Sequence, residues 1–342
     1  MRNEAPYVVE WVVYHRMIGF TDILLFTNDC TDGTDAIAER LAALGQVRHL
    51  PNPVAGEVRP LRQALERARA MPLVAEADWV MALDADEFLN IHAGAGRIED
   101  LLEAAPSVDL FLINWRHLAD PDAVNWQPGL VTERFVRAGP MRTPVSAAVK
   151  SLFREPTRYG RFSAHMPWDP AEPGGIRVAN GSGRPIEGVF EKPLNRAYRL
   201  TGPDAGLRLA QVNHYATKSL EAYVLKKMRG SGNNKPHRFD RAYWQKRNEV
   251  DREDRTIQRH LPALRAACAA LLADPALADL QRQGEAAHRA MIAEARAAGQ
   301  VSLEALDALT DDRALARQAE RSLGRRLGRL LGRGARAGGR LT

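Results

Sequence analysis

The chain has 342 residues, 45% hydrophobic and 26% charged, with a formal net charge of +6. That make-up belongs to a folded globular protein and excludes a disordered or fibrous chain. No stretch approaches the roughly eighteen apolar residues that cross a bilayer, the start lacks the basic-then-apolar layout of a secretion signal, and the two cysteines, Cys30 and Cys268, form no metal-ligand spacing.

A cytoplasmic location is therefore the expectation. The charge is local: from Arg313 onward there are nine arginines and one acid, Glu320, a balance of +8 that leaves the preceding residues near −2. A nucleic-acid-binding domain would spread its basic residues over a folded face, so nucleic acid is not an expected partner.

In chain order, Ala5 to Gly19 reads as a helix, with Pro6 at a first helical position and Gly19 at the C-terminal cap. Ile23 to Phe26 is a short strand followed by the polar loop Asn28 to Gly33, and Thr34 to Leu44 is a second helix ending at Gly45. A strand near Gln46 to Leu50 and a helix over Pro60 to Ala70 lead to Trp79-Val80-Met81-Ala82-Leu83, a buried strand that runs into Asp84, Asp86 and Glu87. Val108 to Trp115 reads as a strand, Leu130 to Val136 as a helix and Ala147 to Arg154 as a strand. The Pro- and Gly-rich stretch 155–206 reads as long loops, Leu207 to Val212 as a strand, Lys218 to Met228 as a helix, and 242–298 as helical throughout. This alternation predicts an α/β fold with a mostly parallel, Rossmann-like sheet flanked by helices. In such a sheet a strand normally precedes the first helix, and none is readable before Pro6. The expectation that follows is a natural start upstream of Met1.

A sheet core tolerates no unpaired carboxylate, so Asp84, Asp86 and Glu87 are expected just past their strand's end, where open α/β sheets bind ligands. Paired acids there suit Mg²⁺ or Mn²⁺ bound to phosphate; a solvated acidic turn is the plainer alternative.

Six motifs in order resemble one family. Arg2-Asn3-Glu4-Ala5-Pro6-Tyr7, Glu10-Trp11, Tyr14-His15 and Gly19 resemble the opening of bacterial family-2-like glycosyltransferases, related to the family-92 group. Asn28 to Thr34, Leu83 to Leu89 with its Asp-x-Asp signature, Glu133-Arg134-Phe135, Lys150, His165 and Asn213 to Ser219 continue the resemblance over residues 1–255. It implies the A-type glycosyltransferase fold. The catalytic domain would span 1–240, a helical extension 241–312 and a basic, disordered tail 313–342. It also implies metal-dependent, inverting transfer of a sugar from a nucleotide-sugar to a hydroxyl acceptor, glycan or lipid-linked, in surface polysaccharide synthesis.

Under that resemblance Asp86 is the direct metal ligand, for Mn²⁺ or Mg²⁺. Asp84 holds the ribose or acts on the metal through water, and His214 is a further ligand with His165 its rival. Asn3, Glu4 and Asn28 line the nucleotide pocket or satisfy turn and helix-end amides. Lys150, Lys218, Lys226 and Lys227 neutralise the diphosphate or form a solvated helix face. Glu133 is the candidate base, with Asp120 and Asp122 as rivals, unless it simply pairs with a neighbouring cation. The tail, with Leu323, Leu327, Leu330 and Leu331 among arginines, offers peripheral contact with an anionic membrane at its inner face. Two other classes stay open: a sugar-nucleotide nucleotidyltransferase, and a non-enzymatic membrane- or nucleic-acid-binding protein acting through the tail.

Overall fold

In the computed structural model, residues 1–54, 58–141, 143–230, 232 and 239–308 are described. The basic tail therefore lies outside the described residues. Helix α1 (Val8–Met17) is buried on nearly every side from Val8 to His15, which suits a stretch with no polar face. It is followed by Gly19 at φ +115°, a backbone that favours glycine.

Strand β1 (Leu24–Thr27) pairs in parallel with β2 (Arg48–Pro51), and α2 (Thr34–Ala43) crosses between them. Asp32 organises that crossover. One of its carboxylate oxygens accepts from the Thr34 amide at 3.0 Å and hydroxyl at 2.6 Å, and the other from the Ala5 amide at 2.9 Å.

Two helices, α3 (Pro60–Arg69) and the single turn α4 (Pro72–Ala75), precede β3 (Trp79–Met81). The chain turns at the acidic cluster, and β4 (Glu87–Ile91) follows at once, every residue buried. After α5 (Ile98–Ala104) comes the long central strand β5 (Leu110–Ala119), buried along its whole length. A single turn, α6 (Val131–Arg134), separates it from β6 (Arg137–Ala138) and β7 (Val149–Arg154). The stretch read as loops carries a hairpin, β8 (Tyr159–Phe162) with β9 (Pro167–Pro170), then β10 (Val178–Asn180) and the single turn α7 (Leu194–Ala197). Strand β11 (Ala210–His214) returns to the centre, and α8 (Leu220–Arg229), α9 (Arg241–Arg247), the short β12 (Arg252–Glu253), α10 (Leu261–Leu271) and α11 (Pro275–Ala297) complete the described chain.

The sheet corrects the expectation of a mostly parallel, Rossmann-like architecture. The eight-stranded sheet contains β12, β6, β5, β11 and β4 in that order, with β10 and β7 also on β5 and β3 on β7. Five of its pairings are antiparallel: β3 with β7, β5 with β7, β5 with β6, β6 with β12, and β4 with β11. Only β10 and β11 run parallel to β5, and the other parallel pair, β1 with β2, forms a separate two-stranded sheet. A parallel neighbour needs a crossover of a dozen or more residues, usually a helix. Between β5 and β11 the described helical segments have no more than four residues. With no helix to carry crossovers, β6 and β7 fold back antiparallel.

The helices of the expected extension share the main core. Leu264, Cys268, Leu277, Ile292 and Ala295 are buried in the same cluster as α1 and α2. A methyl group on Gly284 of α11 would stand 2.6 Å from the Ala5 Cβ, so this glycine sets how closely α11 approaches the chain start. No single helix among the described residues is long and apolar enough to cross a membrane.

Candidate active site

The acids Asp84 and Asp86 lie on the turn between β3 and β4, at the mouth of a cleft of about 780 Å³. One flank of the cleft is apolar, lined by Leu24 and Phe26 of β1 and by Trp79 and Met81 of β3. Its other end is charged, with Asp84, Asp86, Lys150, His214, Lys226 and Arg229.

Lys150 enters from β7 and is 1% exposed. Its ammonium sits 2.8 Å from Glu87 and 3.1 Å from Asp84. The same Glu87 oxygen accepts the Asp84 backbone N–H at 2.8 Å, which closes the acidic turn. Glu87 thus braces the turn from within the sheet, and its other oxygen is buried without a hydrogen-bond partner. Burial pushes the Glu87 carboxyl up, to about 8, against the pull of Lys150. Partial burial also opposes ionisation of Asp84, but the Lys150 ammonium outweighs it and holds this acid below the usual range.

Asp86 is held differently. Its side chain is 9% exposed, and one oxygen lies 2.6 Å from the Lys226 ammonium and 3.6 Å from His214 Nε2. Lys226 also donates to the Ala216 carbonyl at 2.7 Å. Burial would raise the Asp86 carboxyl, yet Lys226 and then His214 keep it well below the ordinary carboxylate range. His214 ends β11, stacked obliquely between Trp115 and His117 at 4.5 and 5.0 Å. Burial lowers its pKa to about 4 despite Asp86, so it is a neutral imidazole at neutral pH.

For a divalent cation, the donors on offer are an Asp86 oxygen and His214 Nε2, which fit as a pair of ligands. Two protein ligands plus phosphate oxygens and water is a normal complement for Mg²⁺. Two observations weigh on that fit. Lys226 holds the same Asp86 oxygen, and His214 Nδ1 is buried without the partner that usually orients a metal-bound imidazole. Among the described residues, no group of three or more His, Cys, Asp or Glu side chains is placed to share an ion.

The other candidates are dispersed. Asn28 lines the cleft, its amide donating to Asp29 at 3.1 Å. Asn3, at φ +51°, exchanges hydrogen bonds with the Thr31 amide and hydroxyl, both at 2.9 Å. Glu4 pairs with Arg229 and borders the cleft. His165 lines the cleft from above β7, stacked on Tyr198 at 4.3 Å. Lys218 does not line the cleft and faces a neighbouring cavity. Glu133 pairs with Arg265 of α10, while Asp120 and Asp122 pair with Arg137; none of the three lines the cleft.

Of the two expectations for Lys226, diphosphate neutralisation or a solvated helix face, the second is overturned, because α8 is buried from Leu220 to Lys227. The available signal was the run Tyr223-Val224-Leu225 directly before the two lysines, which no surface helix needs. The brace of Glu87 by Lys150 was not legible in the sequence, because Lys150 lies more than sixty positions away.

No family model matches this chain. Over 96 residues, 28% of the chain, it is 29% identical to a glycosyltransferase family 92 protein of Ricinus communis. The match spans 16% of that relative's length. Over that stretch the chain is related to a glycosyltransferase, an enzyme class that takes a sugar donor and an acceptor.

Proposed function

We propose that the cleft binds a nucleotide-sugar with a divalent cation and transfers the sugar to a hydroxyl acceptor. The observation that carries this reading is the charge balance at the cleft's polar end. Asp84, Asp86 and Glu4 face Lys150, Lys226 and Arg229 in ion pairs, so these three cations are already matched. A diphosphate entering here brings negative charge that these matched cations leave unbalanced, and a co-bound cation offsets it.

Asp86 and His214 would hold that ion, Mn²⁺ or Mg²⁺, which supplies Lewis-acid stabilisation of the diphosphate leaving group. Lys226 releases Asp86 and turns its ammonium to the phosphates. Lys150 and Glu87 keep the turn, and so both aspartates, in one geometry. The apolar flank excludes water, which strengthens every charge interaction at the polar end. Transfer with inversion, an acceptor in surface polysaccharide synthesis, and a tail-mediated approach to the membrane's inner face complete the proposal.

The test is thermal unfolding of the full chain with a panel of nucleoside diphosphates, in Mn²⁺ and in EDTA. A nucleotide at a hundredfold its Kd adds about 2.7 kcal/mol of stability. The expected result is a rise in Tm for at least one nucleotide that disappears in EDTA. If no nucleotide shifts Tm with or without metal, the proposal is overturned.

A further inference from the structure

Beside the cleft lies a second cavity of about 280 Å³, between the chain start, α8 and α11. Lys226 and Arg229 line both spaces and form the wall between them. Their charges are already matched, by Asp86 and Glu4.

Lys218 is not matched. It is 6% exposed, and its ammonium lies 4.4 Å from the centre of the Tyr7 ring. Among the described residues that ring is its neighbour in place of any carboxylate within ion-pair distance. A buried lysine without a counter-charge is costly. It is also held at φ +54°, a left-handed backbone that a lysine rarely adopts. Strain and an unpaired buried charge at one residue are the signature of a position kept for a ligand.

The opposite wall adds an independent observation. His288 of α11 is 3% exposed, and neither ring nitrogen has a hydrogen-bond partner. It packs edge-on against Tyr7 at 5.9 Å and obliquely on Trp126 at 4.8 Å, which fixes the ring beside the cavity. The remaining acid on the lining is Glu294, which is solvent-exposed.

We infer that this cavity is an oxyanion site, separate from the cleft, in which a phosphoryl or carboxylate group pairs with Lys218 and takes a second hydrogen bond from His288. Lys218 supplies the charge and Tyr7 the flat apolar floor. The inference requires no transferase activity and stands apart from the reading of the cleft.

The test is titration of the full chain by calorimetry with inorganic phosphate and, in parallel, with glucuronate, which separates a phosphoryl from a carboxylate source. The decisive variant is Lys218→Gly. It removes the ammonium and relieves the left-handed residue, so the fold is retained and Tm is unchanged or higher. Expected are saturable binding of at least one anion to the natural chain, at least tenfold weaker binding to Lys218→Gly and to His288→Phe, and unchanged binding to Asp84→Asn. Absence of saturable binding to the natural chain overturns the inference. So does Lys218→Gly binding as tightly as the natural chain, or Asp84→Asn losing as much affinity as Lys218→Gly.

Discussion

Replacing Lys226 by methionine separates the two roles of Asp86. In the native protein the ammonium lies 2.6 Å from the Asp86 carboxylate, with both side chains at most 10% exposed. At an effective dielectric of about 20, that contact is worth on the order of 6 kcal/mol before desolvation. Desolvating both ions removes much of this. The net cost of deleting one partner from a buried pair is about 3–5 kcal/mol, because the carboxylate is left buried and uncompensated. For a chain of this size that is a fall of roughly 4–7 °C in Tm. The assay is thermal unfolding of both proteins in EDTA and in Mn²⁺. In EDTA, Lys226→Met should melt lower by that amount. In Mn²⁺, the variant should regain most of the loss and gain more than the natural chain does, because the ion no longer competes with an ammonium. Equal melting temperatures in EDTA would refute Lys226 as the counter-charge of Asp86. A variant destabilised in EDTA and insensitive to Mn²⁺ would refute Asp86 as a metal ligand.

Two further predictions follow from the geometry. Glu133 is engaged by Arg265 away from the cleft, so Glu133→Gln should leave turnover with the identified donor within about twofold; a loss of a hundredfold or more would restore it as the catalytic base. Glu10, buried on α1 and accepting from the Val131 and Thr132 amides at 2.8 and 3.0 Å, is raised by burial to about 7. A carboxyl raised in the folded state favours folding at low pH and loses that contribution as pH climbs through its folded value. The natural chain should therefore gain about 2–3 kcal/mol relative to Glu10→Gln between pH 8 and pH 5, read from urea unfolding at both pH values; parallel stability curves would refute the assignment.

The first seventy residues were the most legible, because their signals are local. Pro6 and Gly19 bracket α1, Gly33 and Gly45 bracket α2, and Pro60 opens α3, so their helices fall within two or three residues of the expected bounds. The Asp-x-Asp turn was legible for the same reason. What failed was everything fixed by distant partners. Strand β4 follows the acids immediately and exists because β11, some 120 positions later, pairs with it from Val212 to Leu89 and from His214 to Glu87. The direction of pairing on β5 depended on missing crossover helices, which an apolar run such as Leu110 to Trp115 does not reveal. At the site, local spacing identified Asp84 and Asp86, whereas the ammonium groups that set their charge state come from β7 and α8.

Among the described residues β3 pairs with β7 alone, whereas the outer edge of β1 is met by the chain start: the Met1 ammonium donates to the Phe26 carbonyl, and the Asn28 N–H donates to the Met1 carbonyl at 3.0 Å. An open edge carries a row of backbone donors and acceptors that another chain can match strand for strand. The edge of β3 borders the cleft and carries, from Trp79 to Met81, neither the lysine nor the proline that commonly blunts one. The consequence is colloidal: an unblunted edge is a place where copies of a chain add to one another, so an agent that caps β3 should raise solubility without touching the acidic turn.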